Sequence, residues 1–155
     1  MKKIYLAASY SRRLELCEYR KQLNELGYTV QARWLDGKHQ ISDNGMPLGD
    51  NGESLIEASD NEGNNALRAK FANDDVEDVM SADMVINFTE PPRSGASRGG
   101  RHVECGIAIA LGKKVIVVGY RENLFHWLTC IEFHETWEGV YEKFLKENIV
   151  KGVPA

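Results

Sequence analysis

The sequence has little of what would tie it to a metal, a disulfide scaffold or a membrane. Its three cysteines, Cys17, Cys105 and Cys130, are odd in number and scattered, with no C-x-x-C. They give no disulfide framework or zinc-ribbon spacing and read as reduced, mostly buried thiols of a cytoplasmic protein. His39, His126 and His134 show no ligand spacing. His102-Val-Glu104 matches the H-x-E half of a zinc deaminase signature, but the P-C-x-x-C half is missing. No metal site is therefore expected. No apolar run approaches membrane-spanning length. Met1-Lys-Lys with Ile4 to Ala8 is too short for a signal peptide, and Arg12-Arg13 follows at once. There is no excess of positive charge: 19 Lys and Arg against 23 Asp and Glu leave a net charge of −4. That balance argues against a polymeric nucleic acid as partner. Both G-x-x-x-x-G-K-[ST] and a G-x-G-x-x-G after the first strand are absent, so neither a P-loop nor the usual nicotinamide dinucleotide site is expected.

What is present is an ordinary globular composition, 43% hydrophobic and 27% charged over 155 residues, the size of one domain spanning 1–155. Lys3 to Ser9 is a short apolar run that reads as a central parallel strand. Arg12 to Leu26 carries Leu16, Tyr19, Leu23 and Leu26 at helical spacing, with Gly27 as C-cap. Thr29 to Leu35 reads as a second strand. Residues 36–63 are rich in Gly, Asn, Asp and Ser, and read as a lid over the crevice or as a surface loop. A helix is expected from Asn64 to about Ala82, with Leu67, Phe71, Ala72, Val76, Val79 and Met80 facing the core. A strand at Asp83–Asn87 follows, then a helix after Gly99-Gly100 with Val103, Ile107, Ala110 and Leu111 inward. A fourth strand at Lys114–Gly119, an edge strand at Thr129–Phe133 and a closing helix at Glu135–Glu147 complete the alternation. Five strands alternating with about five helices predict an α/β, doubly wound, mostly parallel sheet, a flavodoxin-like or Rossmann-like three-layer sandwich.

Two carboxylates stand out. Glu104 follows the glycine pair in Arg98-Gly-Gly-Arg-His-Val-Glu-Cys-Gly106 and is expected in the first turn of its helix. There it either complements the dipole or serves as an ionised reactive group at a strand-to-helix crevice. Asp74, Glu77, Asp78 and Ser81 fall on the polar face of the preceding helix, whereas Asp75, four residues after Phe71 and four before Val79, falls on the apolar stripe. An acid there needs a partner or a task, unless a break near Asn73-Asp74 makes it an N-cap. Two acids in unlike settings are what glycosidic cleavage asks for: one kept ionised as nucleophile, the other kept protonated by burial. After the first strand, Ser9, Ser11, Arg12 and Arg13 offer hydroxyls and guanidinium groups for a phosphate. Alternatively, Ser11 is a helix N-cap and the arginines are solvated.

These residues, taken together, resemble the nucleoside 2-deoxyribosyltransferase superfamily, which includes nucleoside 5'-monophosphate N-glycosidases. The resemblance runs from Lys2 to about Leu128, apart from 36–63. It rests on Ile4-Tyr5, on Asp75 with Asp83 eight residues on, on Gly100 and Glu104-Cys-Gly-x-Ala, and on Asn123-Leu-Phe-His-Trp127. It implies an enzyme cleaving the N-glycosidic bond of a (2'-deoxy)nucleoside or its 5'-monophosphate, with transfer to another base or to water and no cofactor. By the same resemblance Glu104 would be the nucleophile, Tyr5 its hydrogen-bonding partner and Asp75 the acid for the departing base. Asn123 would reach a neighbouring subunit's site in a homo-oligomer. Transferases of this family carry a further acid six residues before the nucleophile, where this chain has Arg98, and the monophosphate-hydrolysing members tend to carry serine. Ser97, Arg98 and the Gly99-Gly100 amides thus become candidates for phosphate, and a nucleotide is favoured over a free nucleoside. Two alternatives stand beside this one. The first is a phosphoribohydrolase releasing a modified adenine, whose P-G-G-x-G-T-x-x-E motif is only partly matched here. The second is a non-catalytic nucleotide-binding module.

Overall fold

A computed structural model describes residues 2–37, 39, 62–93 and 99–150, with side chains from residue 65 onward in the helix that begins at 62. Five strands, β1 (Lys3–Ala7), β2 (Thr29–Val30), β3 (Met84–Phe88), β4 (Lys114–Val118) and β5 (Ile131–His134), lie in the order β2-β1-β3-β4-β5. Every neighbouring pair is parallel. The helices are α1 (Arg13–Glu25), α2 (Glu62–Ser81), α3 (Gly100–Ala110) and α4 (Trp137–Val150). They cover both sides of the sheet, giving a flavodoxin-like α/β fold. A parallel strand covered on both faces must be apolar throughout, and all five residues of β3 are buried. On the α1/α4 side Tyr19 stacks on Trp137 at 4.5 Å between ring centroids and on Phe88 at 5.4 Å. Because β1 and β3 pair in register, Tyr5 opposite Val85 and Ala7 opposite Asn87, these residues share the other face, beneath α2 and α3.

Several expectations are corrected. The second strand is only two residues long, and Arg33–Asp36 forms a 3-10 turn in its place. The cause is Asp78, expected on a solvated face but only 1% exposed. Its carboxylate accepts the Arg33 amide at 2.7 Å, the Arg33 Nε at 3.0 Å and the Gln31 side chain at 3.1 Å, which draws the backbone out of the ladder. Ser11 does not cap α1: a 3-10 turn, Tyr10–Arg12, precedes the helix and no side chain caps either start. Arg13 is buried rather than solvated and donates to the Leu35 carbonyl at 2.5 Å. Ala72, Val76, Met80, Val103, Ala110 and Leu111, expected inward, are exposed, Met80 by 56% and Val103 by 64%. The apolar stripes of α2 and α3 are broader than the sheet can cover. The last strand does lie at the sheet edge, as expected, paired in parallel with β4 alone. Of the lid expected at 36–63, residues 38 and 40–61 lie outside the described residues, and 62–63 already belong to α2.

Candidate active site

Tyr5 stands in the middle of β1, Asp75 on the fourth turn of α2 and Glu104 on α3. Tyr5 is wholly buried. Its hydroxyl, Glu104 Oε2 and Asp75 Oδ1 are all shielded from solvent, and none completes an aligned hydrogen bond. They nevertheless lie close enough for the charge of Asp75 to act on both the Tyr5 hydroxyl and the Glu104 carboxyl. Burial pushes the Tyr5 hydroxyl well above its ordinary range, and the charges of Glu104 and Asp75 push it further. Burial likewise raises the Glu104 carboxyl well above the usual carboxylate range, and the charge of Asp75 adds to this. A Tyr5 hydroxyl interaction and the charge of Arg101 pull the other way. Leaving a buried polar group unpaired costs about 1–3 kcal/mol. Three such atoms brought together from three elements mark the candidate site.

The geometry corrects the expected electrostatics of Glu104. Gly99 is the N-cap, with φ at +88°, and Gly100 is the first helical residue, so Glu104 lies in the second turn, beyond the free amides. The helix dipole weakens within one turn, and burial decides the outcome: the carboxyl is raised, not held down. Asp75 is half-buried, and α2 runs unbroken from Glu62 to Ser81. It is therefore no N-cap. Its neighbour Asp74 is spent on Lys70 at 2.9 Å and Arg33 at 3.2 Å. Asp75 Oδ1 instead lies 2.9 Å from His39 Nε2.

The other candidates separate into distinct groups. Ser9 is buried, with its hydroxyl 3.5 Å from Glu90 Oε1, and Ser11 is exposed. Arg12 is occupied by Glu15 at 2.7 Å and by the Thr89 carbonyl at 3.2 Å. It lines a cavity of about 340 Å³ with Tyr19, Thr89 and Trp137, where the aromatic stack of the α1/α4 side lies. Asn123 caps the 3-10 turn Leu124–Trp127 by accepting the Phe125 amide, and its Nδ2 lies 3.3 Å from His102 Nδ1. It borders an apolar-lined cavity of about 570 Å³ between α3 and that turn. Ser97 and Arg98 fall outside the described residues. Sequence reasoning passed over Arg101, His39 and Asn87. Arg101 is buried against Glu122 at 2.5 Å, and its Nε and Nη1 have no partner. Burial raises the Glu122 carboxyl, but hydrogen bonds from Arg101 and the Glu90 amide outweigh this and leave it below its ordinary value. Asn87 is fully buried with both amide atoms unpaired. An asparagine inside the otherwise apolar β3 was the one local signal available. His39 and Arg101 reach their places only through tertiary structure. Among the described residues no group of three or more His, Cys, Asp or Glu gathers as a metal site, and no helix is long and apolar enough to cross a membrane.

No protein-family profile and no curated protein matches the chain. Two solved structures are similar along nearly their whole length. A CMP N-glycosidase of Clostridium botulinum is 19% identical with a TM-score of 0.51, the match covering 96% of this chain and 99% of that one. A 2-deoxyribosyltransferase of Leishmania mexicana is 14% identical with a TM-score of 0.56, covering 94% and 98%. The chain shares their fold.

Proposed function

We propose that the chain is an enzyme that cleaves the N-glycosidic bond of a (2'-deoxy)nucleoside or, preferably, its 5'-monophosphate. The observation that carries this reading is the convergence of Tyr5, Asp75 and Glu104, in which the buried phenol and the Glu104 carboxyl interact and both feel the charge of Asp75. Support comes from the fold, shared with one protein named as a nucleotide N-glycosidase and another named as a deoxyribosyltransferase. The site holds a proton between its two acids, as like charges in one buried place require. With substrate bound, Glu104 as carboxylate attacks the anomeric carbon. The bond to the base breaks, its electron pair leaves with the base, and Asp75 gives that base the proton. Glu104 is then an ester of the sugar. An incoming base or water attacks the same carbon, returns a proton to Asp75 and frees the Glu104 carboxylate. Tyr5 and Arg101 both favour the ionised form of Glu104 and so assist the attack.

Retention through this ester expects carboxyl groups roughly 5 Å or somewhat more apart around one sugar. No cofactor enters the chemistry. Asn123 and the exposed apolar side chains of α3 and the Leu124–Trp127 turn, among them Val103 and Phe125, would meet a second copy of the chain, placing Asn123 near that copy's site. Incubating the protein with a panel of nucleosides and 5'-monophosphates, with and without an acceptor base, tests the reading. Chromatography then reports free base, sugar phosphate or a new nucleoside. Glu104→Gln is expected to lose at least ~100-fold in rate. Near-normal cleavage by that variant removes Glu104 as nucleophile. Ser97, Arg98 and the Gly99-Gly100 amides carry the expected preference for monophosphates, and equal or inverted kinetics for nucleosides would sink that part.

A further inference from the structure

We propose that His39 is the positioning residue for Asp75, its Nε2–H holding Asp75 Oδ1 so that the acid stays beside Tyr5 and Glu104. The inference rests on the role given to Asp75 above, and it is carried by contacts that no sequence motif announces. His39 Nε2 and Asp75 Oδ1 are 2.9 Å apart, both are shielded from solvent, and neither completes an aligned hydrogen bond, so each is the other's nearest complementary group. The imidazole is fixed from several directions. Its ring lies on Phe71, one turn before Asp75 on α2, with centroids 4.5 Å apart and planes at 33°. Its backbone amide donates to the Tyr10 hydroxyl at 3.4 Å. The 3-10 turn Arg33–Asp36 that leads to it is fastened to α2 by Asp78, one turn after Asp75.

The charged groups around the pair leave these two for each other. Asp74 feels the His39 charge, but its carboxylate is taken by Lys70 and Arg33. Glu77 and Asp78 also go to Arg33. Tyr5 on β1 and Glu104 on α3 approach Asp75 without an aligned bond to it. An aspartate on a helix turns freely about its side-chain bonds, and an acid displaced by ~1 Å costs about 100-fold in rate. A donor on one carboxyl oxygen restricts that motion and leaves the other oxygen for the departing base. Loss of the donor should therefore act on kcat and hardly on KM.

The contact is tested first without substrate. Long-range proton–nitrogen NMR of the full-length, 15N-labelled chain is expected to show neutral His39 as the Nε2–H tautomer. Asp75→Ala should shift it toward a mixture. An Nδ1–H tautomer, or no response to Asp75→Ala, overturns the proposal. Kinetics on CMP and 2'-deoxycytidine 5'-monophosphate form the second arm. His39→Leu should lower kcat by about 10- to 100-fold with KM within about threefold, since it displaces the acid without touching bound substrate. His39→Gln, whose amide can donate from where Nε2 stands, should restore most of kcat. In an Asp75→Asn background His39→Leu should add nothing. A His39→Leu variant close to wild type, a His39→Gln variant no better than His39→Leu, or additive effects with Asp75→Asn each overturn it. Absence of turnover by the wild type on the whole panel of nucleosides and 5'-monophosphates refutes the glycosidase reading, whereas the tautomer measurement decides the His39–Asp75 contact either way.

Discussion

Glu104→Gln should make the protein more stable as pH rises. Burial and then the charge of Asp75 raise the Glu104 carboxyl above its ordinary value of 4.5, so between that pH and its folded value the native state holds a proton the unfolded chain has lost. For a raised acid the associated stability is full below the unfolded value and drains away as pH climbs through the folded one. With one proton involved, the limiting slope is a loss of about 1.4 kcal/mol per pH unit. Glutamine has the shape of the protonated acid and never ionises, so it escapes the loss. The measurement is urea unfolding of wild type and Glu104→Gln from pH 5 to 8, read as the difference between the two proteins so that other titrating groups cancel. That difference should grow in favour of the variant, approaching about 1.4 kcal/mol per unit and levelling off once native Glu104 ionises. In an Asp75→Asn background the window should narrow, because the second cause of the shift is gone. Parallel stabilities across the range, or a wild type that gains on the variant, would refute the burial argument.

Other consequences follow from the same contacts. Arg101→Met strands the Glu122 carboxyl without its buried partner and should cost about 3–5 kcal/mol in chemical denaturation. It should also slow turnover by removing a charge that favours ionised Glu104. Gly119→Ala should destabilise by at least about 1 kcal/mol, since L-residues resist a positive φ. Here φ is +111° and the new Cβ would meet Thr89 Oγ1 at 3.2 Å. Asp78→Ala should lower the melting temperature and loosen the 3-10 turn before His39, seen as faster amide exchange at Arg33, which loses its acceptor. Val103→Asp, on the exposed stripe of α3, should shift any homo-oligomer to smaller species in sedimentation while leaving helix content unchanged.

The sheet was readable because its signal is redundant. Continuous apolar runs at β1, β3 and β4, separated by helical spacing, allow few arrangements other than a parallel layer fold. The local errors share a cause: a polar side chain whose partner lies far along the sequence. Asp78 looks solvated beside Asp74 and Glu77, and only the return of the chain at Gln31 and Arg33 makes it a buried acceptor. Arg13 looks like a surface cation until Leu35 presents its carbonyl. At the candidate site, the helical period alone singled out Asp75, because an acid on an apolar stripe conflicts with its neighbours. Glu104 was found by its place after two glycines, yet its ionisation was misread. One residue of helix boundary separates an amide-rich first turn from a buried second one, and boundaries are what periodicity defines least well. His39 has no such local conflict, so nothing short of the folded chain could reveal it.

The mutual repulsion of Asp75 and Glu104 fits the proposed reaction in a specific way. At rest Glu104 is the acid on which burial and the Asp75 charge press a proton; for attack, the proposed reaction requires the charge on Glu104 and the proton on Asp75. After attack Glu104 is a neutral ester and Asp75, having protonated the base, carries the charge. The crevice thus holds a single buried anion at every stage, and the costly state with two is never visited. Each carboxyl loses its charge as the other gains one, so the repulsion that raises Glu104 at rest becomes a drive for proton and sugar transfer to proceed together. A substitution that neutralises Asp75 permanently should for this reason do two opposite things. It should let Glu104 ionise more readily, and it should remove the proton that the departing base needs. Asp75→Asn is therefore expected to retain substrate binding and lose kcat. The loss should be smallest for substrates whose base leaves without protonation, such as a p-nitrophenyl 2-deoxyriboside. An equal loss on that activated leaving group would show that Asp75 does not serve as the acid.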